Sequence, residues 1–165
     1  MELKTGDVIL FHTKFKITKP LTWIPVFIRL FLNTRYNHVG VIVSNWGRLF
    51  LNEADEKGII AVPVEERLKN KEYVVLRCIH PIIERDFAIK ANFYLGSKYD
   101  FLSLFVYYPI YLLTGKWIEP TRSRNDQRKL FCSEYVALLY NIPNWWKVNP
   151  KDILYHKFFY KVEAN

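Results

Sequence analysis

Apolar residues in this chain form short β-branched runs towards the N-terminus and helical spacings further on. Residues 7–11, Asp-Val-Ile-Leu-Phe, follow the turn-like Thr5-Gly6 and predict a strand. Residues 38–43 and 49–53 predict two more, joined across Ser44-Asn45-Trp46-Gly47-Arg48, which holds the Asn and Gly of a hairpin turn. A short strand over 58–62 precedes Pro63, and 64–69 have room for one or two helical turns. Residues 73–79 form a strongly β-branched strand ending before Pro81.

The period then changes. Ile83, Phe87, Ala91 and Tyr94 or Leu95 share one face of a helix over 82–95, with Gly96 placed to stop it. Residues 132–141 predict an amphipathic helix on which Val136, Leu139 and Tyr140 share the face of Cys132, ended by Ile142-Pro143. The tail at 155–162 predicts a further strand that closes the sheet. Residues 20–33 read as a short helical or irregular apolar segment, and the polar, basic stretch 114–129 as an exposed loop. The expected fold is α+β, an antiparallel sheet packed against helices in a single domain spanning 1–165.

Composition narrows the function classes only in part. Half the residues are hydrophobic and 17% aromatic, enough for a packed core. The 24 Lys+Arg against 16 Asp+Glu give a formal charge of +8, which favours anionic partners such as phosphates, acidic cell-wall polymer or an anionic lipid surface. The apolar stretches 21–32 and 101–113 both fall short of the roughly 20 residues that a spanning helix needs, so no transmembrane segment is expected. The first residues lack the basic and apolar regions of a secretory leader, which points to a cytoplasmic chain with reduced thiols. No HExxH or paired CxxC occurs, so no metal and no cofactor is expected.

The candidate chemistry lies with His38 and Cys132. If the hairpin turn centres between Asn45 and Trp46, His38 lies directly across from Glu53, and Ile42 across from Leu49. Directly opposed Cβ atoms sit about 5 Å apart on one face, so the Glu53 carboxylate could orient the imidazole. A slip of one residue would put Asn52 opposite His38 instead. A thiol in the first turn of a helix feels the positive end of the helix dipole, and its backbone N–H is free to donate to an oxyanion. Cys78, mid-strand among Val74, Val75, Leu76 and Ile79, reads as a core residue. Taken singly, each of these residues is more often structural than catalytic. It is their combination that points to a nucleophile, a base and an orienting acid.

The motifs Gly6-Asp7-Val8-Ile9-Leu10-Phe11, Tyr36-Asn37-His38-Val39-Gly40, Asn52-Glu53-Ala54, Tyr99-Asp100 and Phe131-Cys132-Ser133-Glu134-Tyr135 occur in that order. The set closely resembles the YiiX/YaeF-like permuted papain-fold amidases, distant relatives of NlpC-type cell-wall hydrolases and of lecithin:retinol acyltransferase. The resemblance covers residues 5–141. It implies a circularly permuted papain-like fold, with Cys132 as nucleophile, His38 as base and Glu53 as orienting acid. Tyr36, Asn37 and Ser133 become candidates for oxyanion or substrate contacts. Glu134 matches a motif position and reads as structural. The aromatic insert 101–117 and the basic loop 122–129 depart from the pattern.

The expectation is therefore a thiol hydrolase, a cysteine amidase or peptidase-like enzyme acting through a Cys132 thioester. Its substrate would be a lipid-like acyl amide or ester, or a cell-wall-type peptide, with possible contact to an anionic surface. Two rivals are an inactive module that binds lipid or a partner, and a basic nucleic-acid-binding domain. No specific nucleic-acid motif supports the latter. Oligomeric state is not legible in the sequence.

Overall fold

The computed structural model describes residues 2–12, 35–116 and 129–164. The apolar segment 20–33 and most of the basic loop 114–129 lie outside these. Among the described residues, six strands form one antiparallel sheet: β1 (Val8–Phe11), β2 (His38–Asn45), β3 (Arg48–Asp55), β4 (Gly58–Pro63), β5 (Tyr73–Cys78) and β6 (Phe159–Ala164). Their order is β4-β3-β2-β1-β5-β6. The helices are α1 (Val64–Arg67), α2 (Glu84–Phe93), α3 (Tyr108–Thr114), α4 (Cys132–Leu139) and α5 (Pro150–Leu154). A π-helical turn (Ser103–Tyr107) runs directly into α3, and a 3-10 turn (Trp145–Lys147) follows α4. The architecture is α+β, as the periodicity predicts.

Strand β1 is apolar at every position because both of its faces are covered. Val8 and Leu10 join Val39, Val41, Val43, Phe87, Ala91, Tyr135, Val136 and Leu139 on the face under α2 and α4. Ile9 and Phe11 join Ile42, Leu51, Leu68 and Val75 on the opposite face, where α1 packs. The Gly6-Asp7 start of β1 is an anchor. The Gly6 N–H donates to Ile42 O and the Ile42 N–H to Asp7 O, and the buried Asp7 carboxylate accepts two 2.8 Å hydrogen bonds from Arg77 of β5.

Several expectations need correction. The hairpin pairs Asn45 with Arg48, so the turn centres between Trp46 and Gly47, one position beyond the expected place. Both residues have positive φ (50° and 75°), as a two-residue primed turn requires, and Gly47 supplies one of them without strain. Glu53 therefore faces Gly40, not His38, and Ile42 faces Leu51. A two-residue shift preserves the side to which each side chain points, whereas a one-residue slip would reverse it. Asn52 faces Val41 and points to the α2 side, where its Nδ2 donates to Asn92 Oδ1 at 3.0 Å. It does not orient His38.

Helix α4 is shorter than expected, and all eight of its residues are buried. Such a helix is central rather than amphipathic: the sheet lies on one side, with α2, the 3-10 turn and α5 around it. Ile83 precedes α2 and is exposed, so the buried stripe of that helix starts at Phe87. Cys78 ends β5 half-buried instead of lying in the core. The closing strand is present but starts at Phe159, because α5 occupies the residues up to Leu154.

Gly40 has a packing reason. A Cβ built there would lie 2.8 Å from Asn52 O and 3.1 Å from Glu53 Cβ. A glycine inside a strand often marks such a close approach. Gly40→Ala should push β2 from β3 beside Glu53 and cost about 1–3 kcal/mol, measured by urea denaturation. An unchanged midpoint would refute this account of the glycine.

Candidate active site

Residue pairing positions His38. His38 opens β2 and pairs with Phe11, so its side chain starts on the Phe11 side of the sheet. The Phe11 ring meets the imidazole edge-on, with centroids 5.0 Å apart. Glu53 lies on the same side, diagonal to His38, and its buried carboxylate bridges the gap: Oε2 is 2.9 Å from His38 Nε2. Because His38 is the first residue of its strand, its ring can reach round the strand end. The Cys132 sulfur, which belongs to the cluster on the other face, lies near enough to act on the charge of the ring.

A residue absent from the sequence expectations completes the charge arrangement. Arg67, at the end of α1, places Nε 2.5 Å from Glu53 Oε1. Its guanidinium and the Lys71 ammonium both lie over the Phe11 ring, at 5.2 and 4.8 Å from the centroid. Nothing local in the sequence marks Arg67, since the contact depends on how the β4–α1 connection folds back over β3.

These neighbours set the protonation states. Burial alone would lower the His38 pKa, but the Glu53 carboxylate and the Cys132 sulfur outweigh it and raise the value to about 9. Burial opposes ionisation of Glu53, yet His38 and Arg67 hold its carboxyl below the ordinary glutamate value. The imidazole is therefore cationic at neutral pH, paired with the Glu53 carboxylate and close to the Cys132 sulfur.

Cys132 is the first residue of α4 and 4% exposed. Phe131 has no acceptor with which to cap the helix, so the cap is one-sided: Glu134 Oε2 accepts the Phe131 N–H at 3.1 Å. Glu134 is structural, as the sequence suggested. Ser133 is fully buried and its hydroxyl donates to Val148 O at 2.7 Å, which removes that side chain from the list of substrate contacts. Tyr36 packs half-buried against the main core, and Asn37 is buried, with its N–H donating to Phe11 O at 3.3 Å.

Tyr99 belongs to a motif that carries the resemblance, but the sequence reading assigned it no place in the site. The short bridge between Lys98 and Lys129, with Leu130 N–H donating to Lys98 O at 3.0 Å, draws Tyr99 alongside the start of α4. Burial pushes its phenol well above the usual tyrosine value, and the nearby Cys132 and Glu134 add to the effect, so it remains a proton donor. Its neighbour Asp100 is the N-cap of the next helical segment, accepting from Ser103 N at 2.9 Å and Ser103 Oγ at 2.8 Å.

No protein-family model and no curated protein matches the chain. Among solved structures, the crystal structure of metalloprotein yiiX from Escherichia coli O157:H7, DUF1105, aligns with a TM-score of 0.71. The alignment covers 100% of this chain and 99% of that one, at 17% sequence identity. The two chains share a fold. Among the described residues here, no group of three or more His, Cys, Asp or Glu is placed to hold a metal ion. Glu53 already carries two cationic neighbours, so the residues around His38 do not fit a metal site.

The charge arrangement has a pH signature. His38 binds its proton more tightly folded than unfolded, so its share of stability is complete below about pH 6.5 and is lost as pH rises through about 9. That share is on the order of 3 kcal/mol. The Glu53 share has the opposite sense: present at neutral pH and lost as acid protonates the carboxylate. An NMR titration should place the His38 midpoint near 9, and Glu53→Gln should move it down by a unit or more. A wild-type midpoint near 6.5 would overturn this picture of the site.

Proposed function

We propose that the chain is a thiol hydrolase with a permuted papain-like arrangement, cleaving amides or esters through Cys132. The observation that carries this reading is His38 held between the Glu53 carboxylate and the Cys132 thiol, at a helix start. In the proposed first step the Cys132 thiolate attacks the carbonyl carbon, and the negative charge passes to its oxygen. The Cys132 N–H, unpaired at the helix start, and the Tyr99 hydroxyl are the donors assigned to that oxyanion. The His38 imidazolium gives its proton to the departing amine or alcohol as the tetrahedral intermediate collapses to a thioester.

In this proposal one imidazole serves both half-reactions. The sulfur is one of the charges that raise His38. Once it is acylated that charge is gone, and the imidazole loses its proton more readily. Neutral His38 then takes a proton from water, the hydroxide oxygen adds to the thioester carbonyl, and the thiolate leaves. Glu53, fixed by Arg67, orients the ring through both steps. The substrate class assigned is an acyl amide or ester, with a lipid-like chain or a cell-wall-type peptide as the acyl part.

One observation favours a second reading, a binding module without turnover: the thiol is almost completely buried. Competitive alkylation separates the two. Cys78 is the more exposed thiol, so exposure alone predicts that it labels first. Activation by His38 predicts instead that Cys132 labels at least tenfold faster at neutral pH, and that His38→Ala removes the advantage. A Cys132 that labels more slowly than Cys78 would favour the binding module. A panel of acyl amides, lipid esters and peptides, with Cys132→Ala as blank, then identifies the bond cleaved.

A further inference from the structure

We propose that the helical segment 101–114 is a membrane-docking surface whose partner is the face of an anionic phospholipid bilayer. This goes beyond the hydrolase reading and does not rest on it. Residues 101–115 contain no Asp, Glu, Lys or Arg. Leu102, Phe105, Val106 and Leu113 recur at helical spacing and are 54, 44, 40 and 76% exposed. These are four large exposed apolar side chains on one short helical segment, unlike the singly scattered exposed apolar residues of an ordinary surface.

Three observations favour a lipid face over a protein partner. First, the stripe is bracketed by cations: Lys98 and Lys129, joined in a bridge, stand exposed at one end and Lys116 at the other, while Lys147 lies 5.6 Å above the Tyr111 ring. The carboxylate at its start, Asp100, is buried and committed to Ser103, so it does not face an anionic surface. The net charge of +8 has the same sign. Second, the segment is about 20 Å long against roughly 30 Å of bilayer core, and no described helix is long and apolar enough to cross a membrane. It can lie in the interface without spanning it, as amphipathic anchors do. Third, the Tyr99, Phe101 and Phe105 rings run in steps of 4.8 and 6.3 Å from beside Cys132 out to the stripe.

The test is co-sedimentation of the full chain with large unilamellar vesicles, of phosphatidylcholine alone or mixed with phosphatidylglycerol. The protein should partition onto the phosphatidylglycerol vesicles, less onto the neutral ones, and release as salt is raised. Phe105→Ser and Leu113→Ser should each weaken partitioning about tenfold, with circular dichroism showing the fold intact. Leu113→Ser alone suffices if the Phe105 variant unfolds. Cys132→Ala should bind like wild type, which keeps this result separate from any test of hydrolysis. Absence of sedimentation, or binding unaffected by both serine variants, would overturn the proposal. So would a dimer in light scattering that the serine variants dissolve without any vesicle binding, because the stripe would then serve a second copy.

Discussion

The Glu53 carboxylate is fully buried in the sheet, and an ionised carboxylate without partners there would be prohibitively unstable. His38 and Arg67 supply those partners from two different elements, one to each oxygen. A buried ion cluster is weak evidence for stability, since apolar residues of the same volume often do as well. What this cluster fixes is a charge state and an orientation. With Glu53 held anionic by Arg67, the imidazole stays cationic and pinned through Nε2.

That arrangement needs the sheet to end where it does. The His38–Glu53 pair belongs to the face packed by Phe11, Ile42 and Leu51, whereas Cys132 belongs to the face covered by α2 and α4. A histidine in the middle of β2 would face one side or the other, with the backbone between it and the thiol. At the first position of the strand the ring can pass round the edge. Gly40 contributes by letting β3 approach closely enough for Glu53 to reach diagonally to the ring.

Much of this was legible in the sequence, for reasons that differ by residue. Glu53 was found through an incorrect register, because the two-residue error in the hairpin left its side chain on the correct face. Cys132 was legible because a helix start is a local signal. Arg67 was not, and Tyr99 stood only in a motif with no place in the site: one arrives by the β4–α1 fold-back, the other by a bridge between residues 98 and 129. The burial of Ser133 and Cys132 was equally invisible, because it depends on the 3-10 turn and α5 closing over α4. Pairing parity and helix ends can be read from the chain, but third-layer contacts cannot.

The same bridge ties chemistry to surface. Lys98 O receives the Leu130 N–H, which fixes the chain two residues before Cys132, and Asp100, two residues after Lys98, caps the apolar helical segment through Ser103. The thiol and the apolar stripe are thus set from opposite sides of a single Tyr99. A force on the helical segment, from a bilayer or any other partner, would act first on the Asp100 cap and then on the phenol beside the sulfur.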